Sequence, residues 1–230
     1  MKSTWKEQQR EVTREEIKSI ASRQAAQGGV ASLSLSAIAR EMGLTTPALY
    51  RYFPGRDELM AALASDAYAS FIAALETARD AAAPEDQAGR LRSLCRSYHA
   101  WALEHPQQYS LIFSSQPAPD QLDPAVGLLA DRSFIILLEI IQSAEQAGRL
   151  APPQLPIPQG LARQLEMVRH PAGNSCTTWA LYLATLAWSF IHGITSLDLH
   201  KRYTLLLGEQ VNPFIDYEIE RFLQTIGLRS

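Results

Sequence analysis

Cysteine is almost missing from this chain: Cys95 and Cys176 stand far apart with no CxxC spacing. That excludes a disulfide framework and argues against zinc, so a reducing cytoplasm is the expected setting and no metal or cofactor is expected. Strand-like alternation of useful length is missing, as is any internal repeat, which leaves an all-α reading. The start, MKSTWKE, carries no apolar run, so no secretory leader is expected. Catalytic signatures are missing too: there is no nucleophile elbow, glycine-rich phosphate loop, HExxH pair or carboxylate cluster. His192, His99 and Cys95 are the only weak material for a nucleophile–base pair, and an enzyme is not expected.

Charge is absent from 171–197, a run long enough for a membrane span by the roughly 20-residue criterion. The same run holds Asn174, His192, four threonines and three serines. A helix buried on all faces of a protein reads the same way, and no membrane partner is expected. The net charge of −3 divides unevenly. Residues 1–60 hold nine Lys/Arg against seven Asp/Glu, and the rest holds twelve against seventeen. A mildly basic head on an acidic body fits a nucleic-acid reader joined to a module of another kind. A constitutive architectural DNA-binding protein would need a strongly basic surface and no large apolar body.

What is present is a helix-turn-helix within 13–56. The run SLSAIAREMG from Ser34 to Gly43 places Leu35, Ile38, Ala39 and Met42 on one helical face. Gly43 ends it, because glycine accepts the left-handed backbone of a helix C-terminus. Thr45 is expected to cap a second helix over 46–53, with Pro47 in its first turn, where a missing N–H costs nothing. Leu49 and Phe53 bury, leaving Thr46, Pro47, Tyr50, Arg51 and Tyr52 for an outside partner. Two short helices joined by a glycine turn place a recognition helix in a major groove. The turn spacing also argues against a helical interaction module that binds no DNA.

The run from Ile38 and Ala39 through GLTTPALYRYF to Arg56-Asp57-Glu58-Leu59 resembles the signature of the TetR family of bacterial transcriptional regulators. The resemblance covers about the first quarter of the chain. It departs from the commonest pattern at Tyr52, where many members carry histidine, and at Arg56, where most carry lysine. By residue chemistry, Thr45, Thr46, Pro47 and Arg51 are expected at base edges, arginine being suited to bidentate contact with guanine. The resemblance implies that Tyr50, Tyr52 and Arg56 contact phosphates, with Ser34 or Ser36 reaching the backbone from the first helix. Lys2, Lys6 and Arg10 read as a frayed, solvated tail rather than a minor-groove arm, because Glu7 and Glu11 interleave with them.

Elsewhere the chain is helical. Thr13-Arg14-Glu15-Glu16 reads as a capping box starting a helix that buries Ile17, Ile20, Ala21 and Ala25 and ends at Gly28-Gly29. A long helix over 56–79 carries Leu59, Leu63, Ala67, Phe71 and Leu75 on one stripe. Further helices are expected over 85–104, then, after His105-Pro106, a short one ending near Phe113, and over 125–147, 159–170, 176–199 and 213–226, with a loop at 117–124. Four prolines in 151–158 favour an extended connector, and PAGN at 171–174 breaks the chain. The expected architecture is an N-terminal three-helix helix-turn-helix domain, 1–56, followed by a larger helical ligand-binding and dimerisation domain, 57–230.

In the body, WSFIHGI from Trp188 to Ile194 and EHPQQY from Glu104 to Tyr109 are similar to segments of one group of TetR-family effector domains, which implies effector binding and dimerisation. Candidate effector contacts are Trp101, Tyr109, Phe113, Phe134, Leu138, Trp179, Trp188 and His192, apolar and aromatic groups with a few polar ends. Aromatic residues at helical spacing equally fill cores. A homodimer is expected, since one recognition helix reads only a few base pairs and a two-fold protein reads a palindrome. Its expected interface is a four-helix packing through Leu183, Leu186, Phe190, Ile215, Ile219, Phe222 and Ile226. The expected partners are a double-stranded DNA operator and a small hydrophobic effector, with repression as the family default and activation as the alternative.

Overall fold

The computed structural model describes residues 5–114, 122–153, 155–169 and 176–228. Lys2, most of the expected 117–124 loop and the 171–174 break lie outside the described residues. Eleven α-helices and no strand occur among the described residues. The chain divides into two units, Met1–Ala69 with His105–Leu129, and Ser70–Glu104 with Ala130–Ser230.

The first unit holds α1 (Trp5–Gly28), α2 (Leu35–Glu41), α3 (Thr46–Tyr50), the start of α4 (Arg56–Asp80) and α6 (Pro106–Phe113). α1 begins eight residues before the expected capping box. Thr13 is no cap: its hydroxyl donates to the Gln9 carbonyl, 3.0 Å away, one turn back inside the helix. Three of the four expected stripe residues, Ile17, Ile20 and Ala21, are buried beside Ile38, Leu49, Phe53 and Leu59, while Ala25 is half-buried. Lys18 bridges α1 to α4 through Asp66 at 2.7 Å. On α6, Tyr109 and Phe113 lie with ring centroids 4.8 Å apart, and the Ile112 carbonyl accepts from Tyr68 at 3.2 Å.

The second unit is organised around α5 (Gln87–Glu104), which packs against α9 (Thr178–Leu199) and α11 (Val211–Thr225). Arg96 reaches Asp216 at 2.7 Å, and Arg92 grips Glu220 through two N–H groups, holding that carboxyl below its usual range. Arg132 of α7 (Pro124–Gln146) joins Glu76 of α4 at 2.6 Å and Glu139 at 3.0 Å. α8 (Gln159–Arg169) lies against α9. Between α9 and α11 the chain forms a four-residue helix, α10 (Thr204–Leu207), and a 3-10 turn, Gly208–Gln210, neither of which the sequence pattern predicts. The short elements escape because they bury nothing and so impose no apolar period.

Two helices, Arg56–Asp80 and Thr178–Leu199, are long and apolar enough to cross a membrane. Each has 44% of its apolar window buried inside the chain. On α4 the whole predicted stripe, Leu59, Leu63, Ala67, Phe71 and Leu75, is buried.

The proline-rich connector is anchored at its first residue. The Ala151 N–H donates to the Ile226 carbonyl at 2.8 Å, and the Ala151 carbonyl accepts from the Trp179 indole at 3.1 Å. Gly227 makes this possible: its φ is +94°, and a Cβ there would stand 2.3 Å from the Ala151 nitrogen. Gly227→Ala is therefore expected to cost about 1–3 kcal/mol, the range for a strained backbone forced into contact. Chemical denaturation measures it; a loss below the ordinary few tenths would mean the close approach relaxes freely.

Candidate nucleic-acid interface

The α2–α3 hairpin is built by local rules. Ser34 is the N-cap of α2, its hydroxyl accepting from the Ala37 N–H at 3.3 Å. At the other end Gly43 has φ +67°, its N–H donates to the Arg40 carbonyl, and the Leu44 N–H donates to the Ala39 carbonyl at 2.8 Å. This pair of bonds is the Schellman stop and fixes the angle at which α3 departs. Thr45 is the N-cap of α3 by backbone conformation, without a side-chain capping bond. That leaves its hydroxyl clear of the helix it starts.

α3 spans five residues, three fewer than expected, and 51–53 continue as a turn whose N–H groups still bond back to Ala48 and Leu49. Leu49 and Phe53 are fully buried beneath it. On the outer side Thr45, Pro47, Tyr50 and Arg51 are exposed, and Thr46 and Tyr52 half-buried. Ser36 is exposed with its hydroxyl 3.0 Å from that of Ser34. Arg56, at the start of α4, donates to the Val30 carbonyl at 2.9 Å, which uses one of its five N–H donors and steadies the rest. The nine expected contact residues thus fall on α2, α3 and the segment leading into α4. The face mixes hydroxyls, an aromatic and guanidinium groups, the chemistry that reads base edges and phosphates.

Sequence reasoning missed what holds this face in place. Arg14 of α1 donates to the Tyr52 carbonyl at 2.6 Å, and its guanidinium lies over the Phe53 ring, 4.3 Å from the centroid. One turn earlier Arg10 donates to the Arg51 carbonyl at 3.4 Å. Two arginines therefore occupy carbonyls at the C-terminal end of the recognition segment, where carbonyls lack helical partners and positive charge is favoured. Their spacing of four on a helix is the signal in the sequence, hidden by the capping-box pattern at Thr13.

The expected effector residues fall in different settings. Tyr109 and Phe113 belong to the first unit, and Trp101, Phe134, Leu138, Trp179, Trp188 and His192 to the second. Trp101 is buried and donates to the Ser70 hydroxyl at 3.1 Å; Leu138 is buried; Phe134 is half-buried. Trp179 stacks on Tyr182 and anchors Ala151, a structural use for a side chain read as a ligand contact. Trp188 remains 40% exposed beside His192, whose Nδ1 lies 2.9 Å from the Tyr98 hydroxyl. Burial holds the His192 imidazole below its usual range, so it is neutral near pH 7. Next to Tyr98, buried His99 pairs with buried Asp198 at 2.8 Å. Cys95 is buried and its thiol is pushed up to about 12, which removes the thiolate that nucleophilic chemistry needs.

The expected dimer residues need correction. Leu183, Ile215, Ile219 and Ile226 are at most 3% exposed and form the core of the second unit itself. Period counting marks every apolar face of a helix but does not say which face the chain covers. Phe190 and Phe222 stack on one another, centroids 4.7 Å apart, and are half-buried, while Leu186 is 38% exposed.

An exposed helix-turn-helix face ahead of a helical body is the arrangement of a DNA-binding regulator. Family models agree in both parts: "Bacterial regulatory proteins, tetR family" matches residues 17–63, and "Tetracyclin repressor-like, C-terminal domain" matches 91–222. The chain belongs to the TetR family of transcriptional regulators. It is 28% identical over 196 residues to the HTH-type transcriptional regulator Rv1816 of Mycobacterium tuberculosis, covering 84% of this chain and 83% of that one. Among solved structures, regulatory protein SCO4313 is 34% identical with a TM-score of 0.77, covering 96% of this chain and all of the other. AibR, solved with isovaleryl coenzyme A and operator DNA, shares the fold at TM-score 0.58 and 13% identity, over 94% and 98% of the two chains.

Two outcomes are expected. Arg14→Ala should lose about 1–3 kcal/mol of stability, the range for a charge-assisted hydrogen bond with an aromatic contact, and should weaken duplex binding further than the unfolded fraction explains. Thermal unfolding beside duplex titration separates the two effects, and unchanged binding by the folded variant would remove Arg14 from the reader. His192 is the pH-dependent case. Its folded pKa lies below the usual 6.5, so the unfolded chain takes up the proton first as pH falls. Its contribution is complete above about 6.5 and is lost as pH drops through the folded value. His192→Gln should flatten the decline in melting temperature between about pH 7 and about pH 5; an identical slope would assign the decline to other groups.

Proposed function

We propose that this chain is an effector-released repressor that binds a palindromic operator as a homodimer in the cytoplasm. The observation that carries the reading is the outer face of α2 and α3, where Thr45, Pro47, Tyr50 and Arg51 are exposed above buried Leu49 and Phe53. Residues 1–56 read DNA and 57–230 sense and dimerise, with α4 belonging to both tasks. Thr45, Thr46, Pro47 and Arg51 meet base edges, while Ser34, Ser36, Tyr50, Tyr52 and Arg56 meet phosphates and sugars.

The dimer reading draws support from a stripe on α9. Leu186 and Leu197 are 38% and 44% exposed, Phe190 lies between them, and a Cβ on Gly193 would meet nothing within 4 Å. Tyr217 of α11 is 66% exposed. The interface is therefore drawn from Leu186, Phe190, Gly193, Leu197, Tyr217 and Phe222. The effector is a small hydrophobic molecule with one polar end, met by Trp188 and His192. AibR's capture with an acyl coenzyme A and operator DNA is the precedent for a fold that holds both kinds of ligand. Effector binding shifts α4 and so the spacing of the two recognition helices, with a coupling of about 1–3 kcal/mol typical of linked sites. Activation from the same fold differs only in where the operator lies.

Selection of bound duplexes from a random pool by the purified protein tests the reading. A palindromic consensus is expected, lost in Arg51→Ala and weakened without change of consensus in Tyr50→Ala. A single half-site would contradict the dimer, and no enrichment at moderate salt, with or without added acyl thioesters, would contradict the reader.

A further inference from the structure

The first turns of α1 do more than precede the helix-turn-helix. Trp5, Lys6, Gln9 and Arg10 of α1, with Arg51 and Tyr52 at the end of the recognition segment, line an open cleft of about 350 Å³. Three of the six lining side chains are cations and none is a carboxylate. The other three, indole, amide and phenol, each carry a hydrogen-bond donor. Among the described residues no acidic side chain pairs with Lys6, Arg10 or Arg51. Lys6, Arg10 and Arg51 are all exposed, and Trp5 is 74% exposed, so the cleft opens to solvent.

Helix geometry accounts for the acids being outside the cleft lining. At 100° per residue, Lys6, Gln9 and Arg10 share an arc of about 100°, whereas Glu7 and Glu11 fall outside it. The interleaving that reads as a self-neutralised tail in the linear sequence becomes a cationic face once 5–12 are helical. The helix is also fixed where it matters, because Arg10 and Arg14 bond the Arg51 and Tyr52 carbonyls.

We infer that this cleft is a second DNA contact, in which Lys6 and Arg10 of α1 seat backbone phosphate of the duplex beside the recognition helix, next to Arg51, which reads the bases. The inference rests on the DNA-binding reading above and adds an element outside the helix-turn-helix. The occupant is polyanionic and continuous with the operator, since one of the three cations stands on the recognition segment itself. A lining in which every side chain offers a donor and none is a carboxylate suits phosphate oxygens. Contacts of this kind add affinity without sequence preference and release counterions.

The test uses the full chain and two duplexes, the selected consensus and an unrelated sequence of equal length, titrated over a range of salt. Lys6→Gln with Arg10→Gln keeps good helix formers and removes two cations. It is expected to weaken both duplexes and to lower the slope of log affinity against log salt by about 2 (~0.9 per phosphate). Lys6→Gln alone, which keeps the Arg10 bond to the Arg51 carbonyl, is expected to lower the slope by about 1 and to leave the selected consensus unchanged. Lys6→Arg with Arg10→Lys is expected to keep the wild-type slope, which separates charge from fold. Circular dichroism of each variant checks α1. An unchanged slope in the folded glutamine variant overturns the inference while leaving the reader intact. So does saturable binding of inorganic phosphate that the glutamine variant abolishes without effect on the duplex slope, because that makes the cleft a free-anion site. If the wild-type chain binds no duplex at all, the DNA reading falls and this inference falls with it.

Discussion

A recognition helix of five residues cannot hold itself. Isolated helices shorter than about 12–15 residues are marginal in water, and α3 closes barely more than one turn. Its geometry is borrowed. From below, Leu49 and Phe53 bury into the first unit. At its start, the Schellman stop at Gly43 sets the direction of approach. At its end, Arg14 takes the Tyr52 carbonyl while lying over the Phe53 ring, so one side chain satisfies an acceptor and covers the apolar anchor beside it. The presentation of Tyr50 and Arg51 depends on that clamp more than on any propensity within α3.

The second unit solves a different problem. α5 carries polar groups that face other helices, and such groups are costly unless they are paired. His99 finds Asp198, Tyr98 finds His192, Arg92 finds Glu220 and Arg96 finds Asp216. Two pairs point to α9 and two to α11, so α5 fixes the register of both. Buried pairs contribute modest net stability, but a shifted register would leave each buried partner alone, which is strongly disfavoured. Thr195, on α9 between His192 and Asp198, is fully buried, and its hydroxyl meets no hydrogen-bond partner among the described residues.

The helix-turn-helix was legible because its signals are local: a glycine stop, a proline in the first turn and an apolar period of one face; the Ser34 cap was missed, and Thr45 caps by backbone conformation alone. The TetR resemblance rests on the same residues. The start of α1 was not legible, since Thr13-Arg14-Glu15-Glu16 imitates a helix beginning and the competing signal, two arginines reaching carbonyls some 40 residues on, exists only in three dimensions. Leu183, Ile215, Ile219 and Ile226 failed as interface residues for a related reason. A helix apolar all round announces burial, and only the folded chain reveals which faces it covers by itself. Trp179 shows the same limit, for an aromatic in an apolar run gives no hint that its indole N–H holds the Ala151 carbonyl.

The extension of α1 to Trp5 joins these points into one argument. A helix that began at Thr13 would place Arg14 in its first turn, where ends fray and a guanidinium is poorly fixed. Eight further residues put Arg14 in the helix interior and Arg10 one turn before it. The same turns gather Lys6, Gln9 and Arg10 within one arc that holds neither Glu7 nor Glu11. Rigidity of the reader and positive charge beside it therefore come from one structural cause. In a chain whose net charge is −3, attraction for a polyanion cannot come from the whole surface. It has to be concentrated, and the end of the recognition segment is where α1 concentrates it.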